Sequence, residues 1–201
     1  MQILSSSYKK LTVSSFAAGV SIGIAGIAYL KTGNAWVFPI GLYMVCFFGL
    51  HLYTGRVCYA KLIDAPELLW MIIMNFIGAG LLGILCHFVY PELAQKAAEL
   101  TAAKINQDMR VFPRAFLCNV MIFVAVHSWK NIPSPNNIIG LIFATAIFVM
   151  CGFEHCVANA FYFGCAFNHN IEMIWYLPAC ALGNTIGGLA AHQTAKCVGW
   201  R

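Results

Sequence analysis

Long apolar runs separated by short polar stretches are the main pattern along this chain. A membrane-spanning helix needs roughly 20 mostly apolar residues, and six segments approach that length. None of them alternates apolar and polar residues as the strands of a membrane barrel do. The pattern therefore predicts an all-α integral membrane protein with six transmembrane helices and short connections. The predicted spans are Leu11–Leu30, Trp36–Leu50 with a continuation, Leu68–Tyr90, Phe112–Trp129, Ile138–Phe163 and Trp175–Cys197.

The composition agrees with a protein that lies in membrane lipid. Hydrophobic residues make up 61% of the 201 positions and charged residues only 9%, whereas a soluble domain usually carries about 25% charged residues. The net charge of +5 is consistent with contact to anionic lipid or with attraction of small anions, and nothing indicates a nucleic-acid partner. The nine cysteines are scattered without a C-x-x-C pair, which is typical of small packing residues rather than of a disulfide framework.

An even number of spans places both termini on the same side of the membrane. Of the 12 Lys and Arg residues, seven then lie on the side of the termini and five on the other side. Basic residues concentrate on the cytoplasmic side. We therefore predict a multi-pass protein of the inner (cytoplasmic) membrane with cytoplasmic termini.

The two halves of the chain resemble each other. Phe16 of the first span matches Phe116 of the fourth, residues 49–52 match residues 152–155, and residues 75–78 match residues 184–187. Three spans per half would force the two copies into opposite orientations, as in many transport proteins. The sequence therefore predicts one transmembrane channel domain over residues 1–201, with inverted repeats over about 8–90 and 108–201.

Polar residues interrupt the second and fifth spans at corresponding places. The interruptions read GLHLYTGR at 49–56 and GFEHCVAN at 152–159. A broken helix frees backbone groups that hydrocarbon cannot satisfy, so it is tolerated only against protein or in a wet cavity. Paired broken helices in two inverted halves indicate a substrate site near the middle of the membrane.

These segments resemble the motifs of the formate–nitrite transporter family. GFEHCVAN is similar to the family's fifth-helix motif, LYTG at 52–55 to its second-helix loop, RAFLCN at 114–119 to the start of its fourth helix, and LGNTIGG at 182–188 to its sixth. The resemblance implies an aquaporin-like protomer with its own pore in a homopentamer. It also implies a channel rather than an enzyme, without a cofactor, for small monovalent anions or their conjugate acids. Formate is the first choice, and hydrosulfide or nitrite is the alternative.

The resemblance further implies which residues line the pore. His155 corresponds to the family's central histidine and Thr54 to its loop threonine, while Asn119 and Asn184 correspond to its pore asparagines. Lys104 matches a lysine of the outer vestibule once a one-residue deletion is allowed. The apolar constrictions implied are Phe38, Leu42, Ile122 and Phe148, to which we add Leu52 and Tyr53 beside Thr54.

Three positions need a comment beside this resemblance. Glu154 is expected either to fix the imidazole or to cap freed backbone N–H groups. Tyr53 stands where the family commonly has phenylalanine, and Arg56 stands where it usually has a small or amide residue.

Simple energetics favour crossing as the neutral acid. Moving a bare carboxylate-sized ion into a dry apolar constriction costs on the order of 20 kcal/mol before relaxation. Protonating an acid with a pKa near 3.5 at pH 7 costs only about 5 kcal/mol. Imidazole is the side chain whose unperturbed pKa lies nearest neutrality, so we expect His155 to serve as a proton relay.

Two other classes of function fit parts of the pattern. A membrane metalloenzyme could use His51, Glu154, His155 and nearby cysteines, but these residues lack the paired spacing of a metal site. An aquaporin-like channel for neutral solutes would be expected to carry an Asn-Pro-Ala signature, which is absent from the sequence.

Overall fold

The chain folds into α-helices with two short 3₁₀ turns over the part that the structure describes. The structure, a computed structural model, describes residues 2–106, 110–167 and 172–200. The predicted repeat limits at 108 and 201 lie outside the described residues. The helices are α1 (Gln2–Thr32), α2 (Pro39–Phe47), α3 (Tyr53–Val57), α4 (Ala65–Val89), α5 (Pro91–Ile105), α6 (Val111–Asn131), α7 (Asn136–Met150), α8 (Cys156–Ala166) and α9 (Met173–Cys197).

Three helical segments are long and apolar enough to cross a membrane. They are Tyr8–Thr32, Leu62–Val89 and Val111–Asn131, while Ala35–Phe47, Asn136–Met150 and Cys156–Ala166 are shorter apolar helices. The shorter ones arise because the predicted second and fifth spans are each divided in two. The prediction of broken second and fifth helices is therefore confirmed.

A glycine in the left-handed region ends the first part of each broken helix. Gly49 follows α2 with a φ of +63° and Gly152 follows α7 with a φ of +64°. Other residues adopt this conformation only at a cost. The residue after each glycine donates its N–H to the carbonyl five residues earlier, at 2.8 Å in the first break and 3.0 Å in the second. The two breaks thus have the same backbone closure.

Asn75 of α4 satisfies the backbone of the first break. Its Oδ1 accepts a hydrogen bond from the N–H of Tyr53 at 2.8 Å, and its Nδ2 donates to the carbonyls of His51 at 3.0 Å and Ser15 at 2.7 Å. One buried amide therefore joins α1, α4 and the start of α3.

Asn184 of α9 makes the same three contacts at the second break. Its Oδ1 accepts from the N–H of Cys156 at 3.0 Å, and its Nδ2 donates to the carbonyls of Glu154 and Ala115, both at 2.8 Å. The contacts match those of Asn75 residue by residue, in agreement with the correspondence of residues 75–78 with 184–187.

Close packing of glycine on a neighbouring helix also recurs. Gly78 of α4 lies directly against the carbonyl of Phe16 in α1, and Gly187 of α9 lies against the carbonyl of Phe116 in α6. A Cβ at either position would overlap that carbonyl. The small residue therefore allows two helix backbones to approach closely, as is common in membrane proteins.

Helix α5 is the element that the sequence analysis did not predict. The connection between the third and fourth spans is not short, because it contains this helix. Lys31 Nζ lies 2.9 Å from Glu92 Oε1, and Lys96 Nζ donates to the carbonyl of Leu30 at 3.1 Å. The hydrogen bond from Lys31 holds the pKa of the Glu92 carboxyl below its usual range. The buried face of α5 carries Lys104.

Candidate functional site

His155 begins α8 and links the two breaks. Its Nδ1 accepts the backbone N–H of Ala158 at 3.1 Å, which caps the helix. A nitrogen that accepts this bond carries no proton, so the neutral ring holds its proton on Nε2. Nε2 lies 2.9 Å from Thr54 Oγ1, and it therefore donates to the hydroxyl. The hydroxyl hydrogen of Thr54 is left to donate elsewhere.

Glu154 lies next to His155 but contacts other groups. Its Oε2 accepts a hydrogen bond from Lys104 Nζ at 2.6 Å and another from Asn159 Nδ2 at 2.9 Å. The side chains of Lys104 and Glu154 are only 11% and 1% exposed. Glu154 is therefore the anionic half of a buried ion pair, and it neither fixes the imidazole nor caps the helix through its carboxylate.

A cavity of about 70 Å³ lies beside His155, and we call it the histidine cavity. Phe148 stacks on the imidazole with ring centroids 5.8 Å apart, and Phe38 meets Phe148 edge to face at 5.7 Å. The structure thus brings two predicted constriction residues together at the central histidine. The lining residues are Tyr29, Phe38, Leu100, Lys104, Phe148, Val149, Gly152, Phe153, His155, Ala158, Asn159 and Tyr162.

A larger cavity of about 310 Å³ lies at the first break, and we call it the arginine cavity. Leu42 and Leu52 line it, so two further predicted constriction residues lie together here. The other lining residues are Val45, Cys46, Gly49, Leu50, Gly55, Arg56, Val126, Trp129 and Lys130.

Neighbouring positions at the start of α2 line the two cavities. They have no lining residue in common. Phe38, which leads into α2, lines the first cavity and Leu42 lines the second, one helical turn or about 5.4 Å further along the axis. Thr54 contacts His155, and its neighbour Gly55 lines the arginine cavity. A polar contact, with apolar side chains before and after it, therefore separates the two cavities.

Two predicted pore residues lie behind the cavity walls. Asn119 Nδ2 donates to the carbonyl of Thr54 at 3.0 Å, while its Oδ1 is buried without a hydrogen-bond partner among the described residues. The hydroxyl of Tyr53 lies 2.6 Å from Thr185 Oγ1. Both residues hold the loop that presents Thr54 and line neither cavity.

Asn184 and Ile122 also differ from expectation. We expected Asn184 to offer hydrogen bonds to a passing anion, but both ends of its amide bind backbone groups, because the broken helix leaves those groups without partners. Ile122 is buried at 1% exposure and lines neither cavity.

Other residues near the cavities were not predicted. Asn159 and Tyr162 of α8 join the surroundings of Lys104, whose Nζ lies 6.0 Å from the Tyr162 ring centroid. An amide in an apolar helix, five residues after an acid, was the available signal for Asn159. Trp129 and Lys130 lie at the end of a span, where such residues are common, so no sequence signal placed them at a cavity.

Among the residues that the structure describes, no group of three His, Cys, Asp or Glu side chains could hold a metal ion. The ligands suggested for a metalloenzyme are therefore not gathered in this part of the chain.

Comparison with known sequences gives consistent matches. The sequence profile described as "Formate/nitrite transporter" matches residues 1–197. Formate channel FocA of Haemophilus influenzae is 28% identical over 186 residues, covering 74% of this chain and 63% of that protein. The uncharacterized transporter YrhG of Bacillus subtilis is 31% identical, covering 77% and 66%. Formate channel BtFdhC of Bacillus thuringiensis is 29% identical, covering 76% and 66%. The chain thus spans about two thirds of the length of these relatives.

Solved structures share the fold. A structure titled "Pentameric formate channel with formate bound" superposes with a TM-score of 0.78 at 20% identity, covering 96% of both chains. Another, titled "FNT family ion channel", superposes with a TM-score of 0.80 at 19% identity, covering 99% of this chain and 92% of the other. The predicted all-α membrane-channel fold is confirmed.

Proposed function

Because the chain belongs to the formate/nitrite transporter family, we propose that it is a channel for small monovalent anions, which cross as their neutral acids. Formate is the proposed principal substrate. The observation that carries the proposal is the contact of Thr54 with His155, which lines the histidine cavity. Two relatives bear the name formate channel.

Passage through the two apolar constrictions is the costly step for an anion. Phe38 and Phe148 lie on one side of the histidine, and Leu42 and Leu52 lie on the other. A bare anion in such surroundings costs on the order of 20 kcal/mol before relaxation, far more than the roughly 5 kcal/mol needed to protonate formate at neutral pH. A neutral acid still needs hydrogen-bond partners between the constrictions, and the Thr54 hydroxyl together with imidazole Nε2 offers them.

The hydrogen bond from the Ala158 N–H to Nδ1 limits the protonation states that His155 can adopt. Its neutral ring can donate only through Nε2, and loss of that proton would leave an imidazolate. Protonation of Nδ1 would break the hydrogen bond that Nδ1 accepts from the Ala158 N–H, because two N–H groups would then face each other. We therefore propose that His155 donates a hydrogen bond to the substrate, and that the anion takes its proton from a hydronium ion of the solvent, which leaves as water, rather than from the imidazole.

Lys104 supplies a cation at the entrance to the histidine cavity. Glu154 neutralises the charge of Lys104, so the pair offers an N–H donor to the anion but carries no net charge. A bare buried cation would hold an anion tightly and slow its passage. The paired ammonium instead concentrates the anion weakly, which suits a residue that must also release it.

Hydrosulfide and nitrite are the alternative substrates. The first pKa of hydrogen sulfide lies near 7, so protonation of hydrosulfide at neutral pH costs almost nothing compared with formate. An aquaporin-like channel for neutral solutes is a further alternative, and water permeability without acid-dependent flux would favour it.

Stopped-flow uptake into proteoliposomes tests the proposal. Formate, nitrite, hydrosulfide, acetate and lactate are compared across pH, with empty liposomes as the control. We expect formate flux to follow the concentration of formic acid, falling about tenfold per pH unit above the pKa of the acid. Flux no greater than in empty liposomes for every anion would refute the channel assignment.

We also propose the wider setting of the channel. Residues 1–201 form one transmembrane domain of two inverted repeats, and five copies assemble in the inner membrane with cytoplasmic termini. Exposed apolar side chains along α4, among them Leu81, Leu85 and Phe88, supply surface for lipid and neighbouring copies. Native mass spectrometry tests the pentamer, and labelling of the exposed Cys197 by an impermeant maleimide in whole cells tests the topology.

A further inference from the structure

The arginine cavity differs from the histidine cavity in size and charge. It is about four times as large, at about 310 Å³ against about 70 Å³. It is lined by two cations, Arg56 and Lys130, and by no acidic residue. In the histidine cavity, by contrast, the single lysine is paired with Glu154. A monovalent anion as small as formate neither fills this space nor balances both charges.

Neither cation is neutralised by the protein. The ion pairs that the structure gives in its described ranges join Lys31 to Glu92 and Lys104 to Glu154. Lys130 Nζ lies 3.9 Å from the centroid of the Tyr59 ring, a cation–π contact that fixes the ammonium without removing its charge. Arg56 carries a like charge on the lining of the same cavity, so the two cations repel each other. An anion between them would relieve this repulsion.

We propose that the arginine cavity binds a small dianion with charged oxygens, such as sulfate, phosphate or a short dicarboxylate. Guanidinium binds such oxygens in bidentate fashion, and the ammonium binds them as a point charge. The Leu42, Leu50 and Leu52 side chains also line the cavity and can contact the carbon chain of a dicarboxylate.

The bound dianion does not cross the membrane. The Born cost of entering an apolar constriction grows with the square of the charge, so it is about fourfold greater for a dianion than for a monovalent anion. Leu42 and Leu52 line both the cavity and the way toward His155. An occupied cavity therefore slows the passage of monovalent anions, a consequence that rests on the proposed channel function.

Iodide quenching of Trp129, which lines the cavity, measures binding without transport. The fluorescence of this residue is obtained by subtracting a Trp129→Phe variant, using full-length protein in lipid nanodiscs. Each unit charge about 7 Å from a site in water concentrates a monovalent anion roughly threefold. We expect sulfate to protect Trp129 from iodide at a concentration at least about threefold lower than chloride does, at matched ionic strength.

Charge-neutral variants identify the site. Arg56→Gln or Lys130→Gln should each remove the advantage of sulfate over chloride. Lys61→Gln is the matched control, because Lys61 is an exposed cation like Arg56 and Lys130 but does not line the cavity, and it should retain the advantage. A separate titration with succinate distinguishes a dicarboxylate site, which binds succinate more tightly, from an inorganic oxyanion site, which prefers sulfate.

Equal protection by sulfate and chloride in the unmodified protein would overturn the site, since it would reduce the effect to ionic screening. Formate flux in proteoliposomes tests whether a dianion bound in the arginine cavity slows the passage of formate. Sulfate should lower flux at the concentration at which it protects Trp129, and unchanged flux would overturn the block. Protection of Trp129 in a protein that passes no formate would leave the site standing and refute the proposed channel function instead.

Discussion

Breaking the buried ion pair between Lys104 and Glu154 is the perturbation whose magnitude follows most directly from the structure. The charged atoms lie 2.6 Å apart, and at an effective dielectric constant of about 20 the gross attraction is roughly 6 kcal/mol. Removing two charges from water offsets much of this gain. Loss of one partner leaves the other charge buried and unpaired, which costs about 3–5 kcal/mol, whereas loss of both costs much less.

We expect Lys104→Met and Glu154→Gln each to lower the free energy of unfolding by about 3 kcal/mol, and the double variant to lose less than the sum by about 2 kcal/mol or more. Unfolding from mixed micelles by titration with sodium dodecyl sulfate, followed by tryptophan fluorescence, measures all four proteins. The same substitutions at Lys31 and Glu92 are the control. That pair is exposed, so its coupling should be near zero.

Additive losses at Lys104 and Glu154 would contradict this reasoning. They would mean that each side chain is stabilised by other groups, with water reaching both. The view of a charge-neutral donor at the entrance to the histidine cavity would then have to be abandoned.

Substitutions at three further positions test the site. Thr54→Val should lower formate flux about tenfold, the worth of one hydrogen bond, while Thr54→Ser should restore it; equal flux in both variants would show that the hydroxyl is not used. His155→Asn keeps a side chain able to cap α8 but lacks Nε2, so formate flux should fall while its slope against pH is unchanged, and an altered slope would assign the proton step to the imidazole. Asn184→Leu removes three buried hydrogen bonds to backbone groups, among them the one to the Cys156 N–H, and should cost about 3 kcal/mol of stability in the same detergent titration; a variant as stable as the parent would contradict the role given to that amide.

The broken helices were predictable because their signals are local. Glycine and polar residues interrupt an apolar run at 49–56 and 152–159, and hydrocarbon tolerates such residues only at a break. The matched positions 75 and 184 pointed to the same place in both halves. The sequence could not tell that these asparagines bind backbone rather than an anion, because either role needs a buried amide in a membrane helix.

Contacts between distant segments could not be predicted. Lys104 and Glu154 are 50 residues apart, and nothing in either segment indicates the other. The helix that carries Lys104 was missed because a search for apolar runs of about 20 residues passes over 15 residues in which apolar side chains occupy only one face. Its buried positions Leu93, Ala97 and Lys104 follow helical spacing, so the helix itself was accessible to a periodicity search.

Comparison of the two breaks separates what the fold requires from what the chemistry requires. Both breaks have a left-handed glycine and an asparagine from a neighbouring helix, because both leave the same backbone groups to be satisfied. Within the breaks the side chains differ: His51 corresponds to Glu154, and Leu52 corresponds to His155. The first break shows that this backbone forms with an imidazole in place of the acid and with leucine in place of His155. The backbone closure of the second break therefore does not itself require an acid and an imidazole at these two positions, and the proposed channel function accounts for their burial beside a cavity.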